Sequence, residues 1–116
     1  MDRGWIAVDL DGTLAYYDHW RGIEYIGDPI QPMVKRVKNW IQKDYTVKIF
    51  TARYNEGLEA INYIKEWCMK HIGQELEVTA TKDFRMIELW DDRCIQVVIN
   101  TGMPMSVAVK EGMLND

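Results

Sequence analysis

The sequence predicts an α/β domain built on a mostly parallel sheet of about five strands. Two observations carry that expectation. Short apolar runs alternate with segments of helical period, the pattern of βαβ units. Polar groups then recur where those runs end: Asp9, Thr51, Lys82 and Asp91 each fall at, or just after, the carboxyl end of a predicted strand. In parallel sheets that edge is where ligands bind. A chain of 116 residues has room for one core, so residues 1–116 are read as a single domain.

The first strand is predicted over Trp5 to Val8 and continues into Leu10. Residues 15–27 show neither helical nor strand period and read as a short hairpin or flap turning near Arg21-Gly22. Met33, Val34, Val37, Trp40 and Ile41 follow helical spacing, with Pro32 suited to the first turn. Tyr45 to Phe50 makes a second strand, ending in Thr51-Ala52-Arg53. Asn55 is placed as the cap of a second helix whose buried stripe is Leu58, Ile61, Ile64, Cys68 and Ile72, closed by Gly73. Three more strands follow: Leu76 to Ala80, Met86 to Trp90, and Ile95 to Ile99. The tail from Met103 has no clear period.

Bulk properties narrow the function. The net charge of -4 disfavours binding by phosphate neutralisation, though not a nucleotide or strand end as substrate. No apolar run approaches a membrane span, and the amino terminus lacks a signal-peptide profile. Cys68 and Cys94 form no metal-ligand spacing and are expected as buried free thiols, which fits a reducing, cytoplasmic setting. His19 and His71 have no partners at ligand spacing.

The stretch that carries chemistry is Asp9-Leu10-Asp11-Gly12-Thr13-Leu14. Asp-Gly alone would read as a turn. A second carboxylate at the strand end is not needed by a turn, and two like charges that close need a reason such as a divalent cation. The run resembles the first motif of the haloacid-dehalogenase-like hydrolases. Ile49-Phe50-Thr51 resembles the second motif of that superfamily, Lys82 the third, and Trp90-Asp91-Asp92 the fourth. Lys82 is followed by Asp83, where many relatives have proline, and the segment from Lys82 to Asp91 is short enough that the usual helix shrinks to a turn.

The resemblance implies a Rossmann-like three-layer domain without a cap, and an Mg²⁺-dependent phosphatase. Asp9 would be the nucleophile and Asp11 the general acid/base, with Thr51 and Lys82 holding the phosphoryl group. Asp9, the backbone carbonyl of Asp11, and Asp91 would bind Mg²⁺, with Asp92 either binding the ion through water or orienting Lys82. Arg53 and Arg93 lie just past motifs, and substrate contact and plain surface charge are equally open for both. The substrate class stays open between a small phosphorylated molecule, a nucleotide end and a phosphoprotein. A non-catalytic interaction domain that kept the fold is the alternative. The flap carries Tyr16, Tyr17, His19, Trp20 and Tyr25. Rings left exposed there would stack on a flat substrate group or pack on a second subunit, with self-association slightly favoured.

Overall fold

The computed structural model describes residues 3–110. Four parallel strands form the sheet: β1 (Trp5–Val8), β2 (Thr46–Phe50), β3 (Glu77–Thr79) and β4 (Met86–Trp90), in the order β3-β2-β1-β4. β1 is central and buried along its whole length, as expected of a strand with neighbours on both sides. Helix α1 (Gln31–Gln42) links β1 to β2, and α2 (Leu58–His71) links β2 to β3. Both crossovers step in the same direction along the sheet. Right-handed connection therefore puts both helices on one face. The core lies there: Ile6 and Val8 pair with Val47 and Ile49, Ile49 pairs with Val78, and these pack with Met33, Val34 and Val37 of α1 and Ile64 and Cys68 of α2.

The expected three-layer arrangement is thus represented by one full helical layer. The return from β3 to β4 is too short for a helix, as anticipated, and makes only a turn at Phe84-Arg85. A short α3 (Met105–Lys110) follows later and buries Ala108. Among the described residues no helix is long and apolar enough to cross a membrane.

Several expectations need correction. The fifth strand does not form: Ile95 and Ile99 are 78% and 82% exposed. That segment instead pairs with the residues after it. Val98 N–H donates to the Met103 carbonyl at 2.8 Å and Met105 N–H to the Gln96 carbonyl at 2.7 Å, around a turn with Asn100 at φ 64°. Backbone groups need partners, and a close local one took precedence over a sheet edge. Asn55 does not cap α2. The Thr51 hydroxyl accepts the Arg53 N–H at 3.1 Å and starts a 3₁₀ turn over Ala52–Glu56, after which Gly57, at φ 106°, begins α2. Leu58 therefore sits on the first helical residue and is 73% exposed, while Trp67, outside the expected stripe, is buried and donates its indole N–H to the Gly27 carbonyl at 3.0 Å. Cys94 is exposed rather than buried; Cys68 is buried, and its desolvated thiol is pushed up to about 12.

Residues 15–27 form a closed loop rather than a hairpin. Its ends are tied by Tyr16 N–H to the Asp28 carbonyl and Ile30 N–H to the Leu14 carbonyl, each 2.8 Å. A Cβ at Gly27 would collide with the Tyr16 carbonyl, so this closure requires glycine. The turn expected near Arg21-Gly22 is present, with Tyr25 N–H donating to the Gly22 carbonyl at 3.3 Å.

Candidate functional site

The carboxyl edge of the sheet is assembled by hydrogen bonds that run past the strands. Asp9 N–H donates to the Trp90 carbonyl at 2.9 Å, so the β1–β4 ladder continues one step beyond Val8. Asp9 therefore stands beside Asp91 and Asp92, which directly follow β4. Gly12, at φ 88°, turns the chain back, and a Cβ there would stand 2.6 Å from Asp92 Oδ2. The next hydroxyl stitches the two loops together: Thr13 Oγ1 donates to Asp92 Oδ1 at 3.1 Å and accepts the Asp92 N–H at 3.0 Å. The Arg93 N–H donates to Asp91 Oδ1 at 2.7 Å and fixes the second carboxylate.

Carboxylate oxygens of Asp9, Asp91 and Asp92 lie within 4.8 Å of one another. That crowding is costly for the anions. Burial pushes the Asp9 carboxyl up to about 8, helped by a hydrogen bond with Asp92 and by the Asp91 and Asp92 charges, against a smaller opposing hydrogen bond from the Leu10 backbone. The donor set is all oxygen, which Mg²⁺ prefers, and a divalent cation would relieve the repulsion. The residues present fit such an ion. Asp92 joins Asp9 and Asp91 in that fit on equal terms.

The Asp11 side chain points to a different partner. Arg53 Nε and Nη2 donate to its two carboxylate oxygens, each at 2.8 Å. Arg53 is 4% exposed, also reaches the Ile23 carbonyl at 3.5 Å, and lays its guanidinium 4.8 Å from the Trp20 ring centroid. Sequence left Arg53 undecided between surface charge and substrate contact. The missed signal was a charge argument: four carboxylates brought to one edge call for a cation, and Arg53 follows the strand-terminal Thr51 by two residues.

Thr51 is buried, extends the β2–β3 ladder through its N–H to the Thr79 carbonyl at 2.9 Å, and faces the cleft with its remaining donor capacity free to use. Lys82 is exposed and does not line the cleft. The reason is the helix-free return. The chain must run from the carboxyl end of β3 to the amino end of β4 in residues 80–85, so Lys82 has already left the edge. Asp83 anchors that return, accepting the Trp5 indole N–H at 2.9 Å and the Arg85 N–H at 2.8 Å, and these bonds hold its carboxyl below the usual range. Arg93 lines the cleft with Arg53.

The cleft that joins these groups has a volume of about 820 Å³. Its polar floor is Asp9, Asp11, Asp91 and Asp92 with Thr51, and its walls include Tyr17, Trp20 and Phe50. Such a space holds a ligand of small-molecule size.

Comparison with known proteins adds a fold. No family model and no curated protein matches the chain. A solved structure of a conserved protein from Bacteroides thetaiotaomicron is similar at 22% identity, covering 94% of this chain and 91% of that one, with a TM-score of 0.61. At that identity the likeness shows a shared fold over nearly the whole chain.

Proposed function

We propose that this chain is a capless Mg²⁺-dependent phosphatase of the haloacid-dehalogenase-like type, hydrolysing a phosphate monoester through an aspartyl-phosphate on Asp9. The observation that carries the reading is the cluster of Asp9, Asp91 and Asp92 oxygens within 4.8 Å, at the sheet's carboxyl edge and in one cleft with Asp11 and Thr51. Mg²⁺ held by Asp9, Asp91, Asp92 and the Asp11 backbone carbonyl would supply neutralising charge for a dianionic phosphate. An Asp9 oxygen attacks phosphorus and the ester P–O bond breaks. Asp11 gives a proton to the leaving oxygen, then takes one from the water that splits the acyl phosphate, which releases inorganic phosphate and restores Asp9. To do so Asp11 has to free an oxygen from Arg53. Thr51 donates to a phosphoryl oxygen, and Arg53 and Arg93 supply the charge expected of Lys82. The unpaired cysteines suit a reducing, cytoplasmic setting.

A second reading, a non-catalytic binding domain on the same fold, is favoured by Lys82 lying outside the cleft and by both Asp11 oxygens being engaged. Hydrolysis of p-nitrophenyl phosphate with and without Mg²⁺ separates the two. The expected outcome is turnover that needs Mg²⁺ and is abolished by Asp9→Asn in a folded protein. Wild-type turnover by Asp9→Asn would refute the nucleophile, and no turnover of any phosphate monoester would favour the binding domain.

A further inference from the structure

The aromatic wall of the cleft says something about what the phosphate is attached to. Trp20 sits in the closed loop, 48% exposed, yet it is not a loosely held side chain. The Arg53 guanidinium lies 4.8 Å from its ring centroid, and the same guanidinium makes the two 2.8 Å hydrogen bonds to Asp11. One buried cation thus fixes an exposed indole at a set place beside the site of chemistry. Single exposed rings are ordinary on protein surfaces. Here three rings, Tyr17 and Trp20 from the loop and Phe50 from the end of β2, line the same cleft as the carboxylates. An apolar wall held in water gains free energy when a flat group covers it. Asn55 and Glu56 also line this cleft and offer amide and carboxylate groups to a polar ring edge or to sugar hydroxyls.

These placements give the ligand its outline. Its phosphate end belongs with Asp9, and its flat end with Trp20. Arg53 bridges the Trp20 ring and Asp11, 4.8 Å from the ring centroid and 2.8 Å from the carboxylate oxygens, so both ends of the ligand fall within one cleft of about 820 Å³. The chain's net charge of -4 disfavours a polynucleotide backbone passing through. Resting on the phosphatase reading above, we infer that the substrate is a mononucleotide-sized phosphate monoester whose base stacks on the exposed part of Trp20.

The test compares AMP, ribose 5-phosphate and a 5′-phosphorylated dodecanucleotide in the presence of Mg²⁺. Turnover is measured in wild type and in Trp20→Leu and Trp20→Phe. Binding is measured by calorimetry in Asp9→Asn, with and without Trp20→Leu. AMP is expected to exceed ribose 5-phosphate by roughly tenfold or more in kcat/KM and in affinity, about 1.4 kcal/mol for each tenfold. Trp20→Leu should lower kcat/KM for AMP by a larger factor than for ribose 5-phosphate and so remove that margin, a split that general misfolding would not produce. Trp20→Phe, which keeps a flat ring, should restore most of it. Equal handling of AMP and ribose 5-phosphate would overturn the inference and leave the phosphatase standing. So would equal losses on both esters in Trp20→Leu, a preference for the dodecanucleotide, or dissociation of an oligomer by Trp20→Leu with the AMP margin unchanged. Tight, Trp20-dependent AMP binding without turnover of any ester would sink the phosphatase reading instead and keep the base site.

Discussion

Arg53 is the buried charge of the cleft among the described residues, and the one on which the sequence says least. It is buried, and its charge is matched by an Asp11 side chain that is itself largely covered, 20% exposed. Removing one partner of such a pair leaves a charge short of both water and a counter-ion. Arg53→Ala should therefore lower unfolding free energy by about 2–3 kcal/mol, somewhat discounted for the exposure of Asp11. Arg53→Lys should recover less than half of it, because an ammonium cannot span both carboxylate oxygens as the guanidinium does. The exposed Arg93→Ala serves as comparison and should stay within about 0.5 kcal/mol of wild type. Urea midpoints of the three variants decide the matter; equal midpoints for Arg53→Ala and Arg93→Ala would show that the pair contributes no stability. The pairing was not legible because Arg53 and Asp11 are 42 residues apart, and no spacing rule connects them. Asp9 and Asp91 were legible for the opposite reason: residue type and strand-end position are local properties.

Elements were read correctly where one face of a regular pattern met the core, and wrongly where a local hydrogen bond intervened. β1, α1, β2, β3 and β4 follow their apolar patterns within a residue or two. The start of α2 and the fate of residues 95–99 were decided by the Thr51 hydroxyl and by the Val98–Met103 pairing, which periodicity does not register. Lys82 was misplaced through a property of the whole β3–β4 connection, its length, and not through its own identity. The turn after β1 offers a test at this scale. Gly12→Ala adds a Cβ 2.6 Å from Asp92 Oδ2 at a φ of 88° that side chains rarely adopt. The Asp92 carboxylate is the movable partner, so it should be displaced from Asp9 and Asp91 while the sheet persists. The expected outcome is an Mg²⁺ affinity lowered by roughly tenfold or more, about 1.4 kcal/mol, with circular dichroism unchanged. Unaltered calorimetric Mg²⁺ binding would mean that Asp92 takes no part in the ion site.

At the scale of the molecule, the acidic cluster links stability to pH and, on the phosphatase reading, to metal. The Asp9 carboxyl rises from an ordinary 3.8 to about 8 in the folded chain, chiefly through burial. Between those values the metal-free folded state keeps a proton that the unfolded chain gives up. Stability that is fully present below pH 3.8 is therefore lost progressively as pH rises, until the loss is complete near pH 8. Asp83 works in the other direction and in another window. Its carboxyl is held low, chiefly by the Trp5 indole N–H, so its contribution is present above the ordinary carboxylate range and disappears only as pH falls below it. A cation that binds the ionised cluster stabilises the folded state by mass action, and it competes with the Asp9 proton. Mg²⁺ should then raise the melting temperature more at pH 8 than at pH 5, and Asp9→Asn should both flatten the pH slope of the metal-free protein and shrink the Mg²⁺ effect. Thermal melts at the two pH values, with and without Mg²⁺, read all of this at once. A melting shift of the same size at both would mean that the ion binds away from Asp9, and the acidic cluster would then be a cost of the fold with no ligand to offset it.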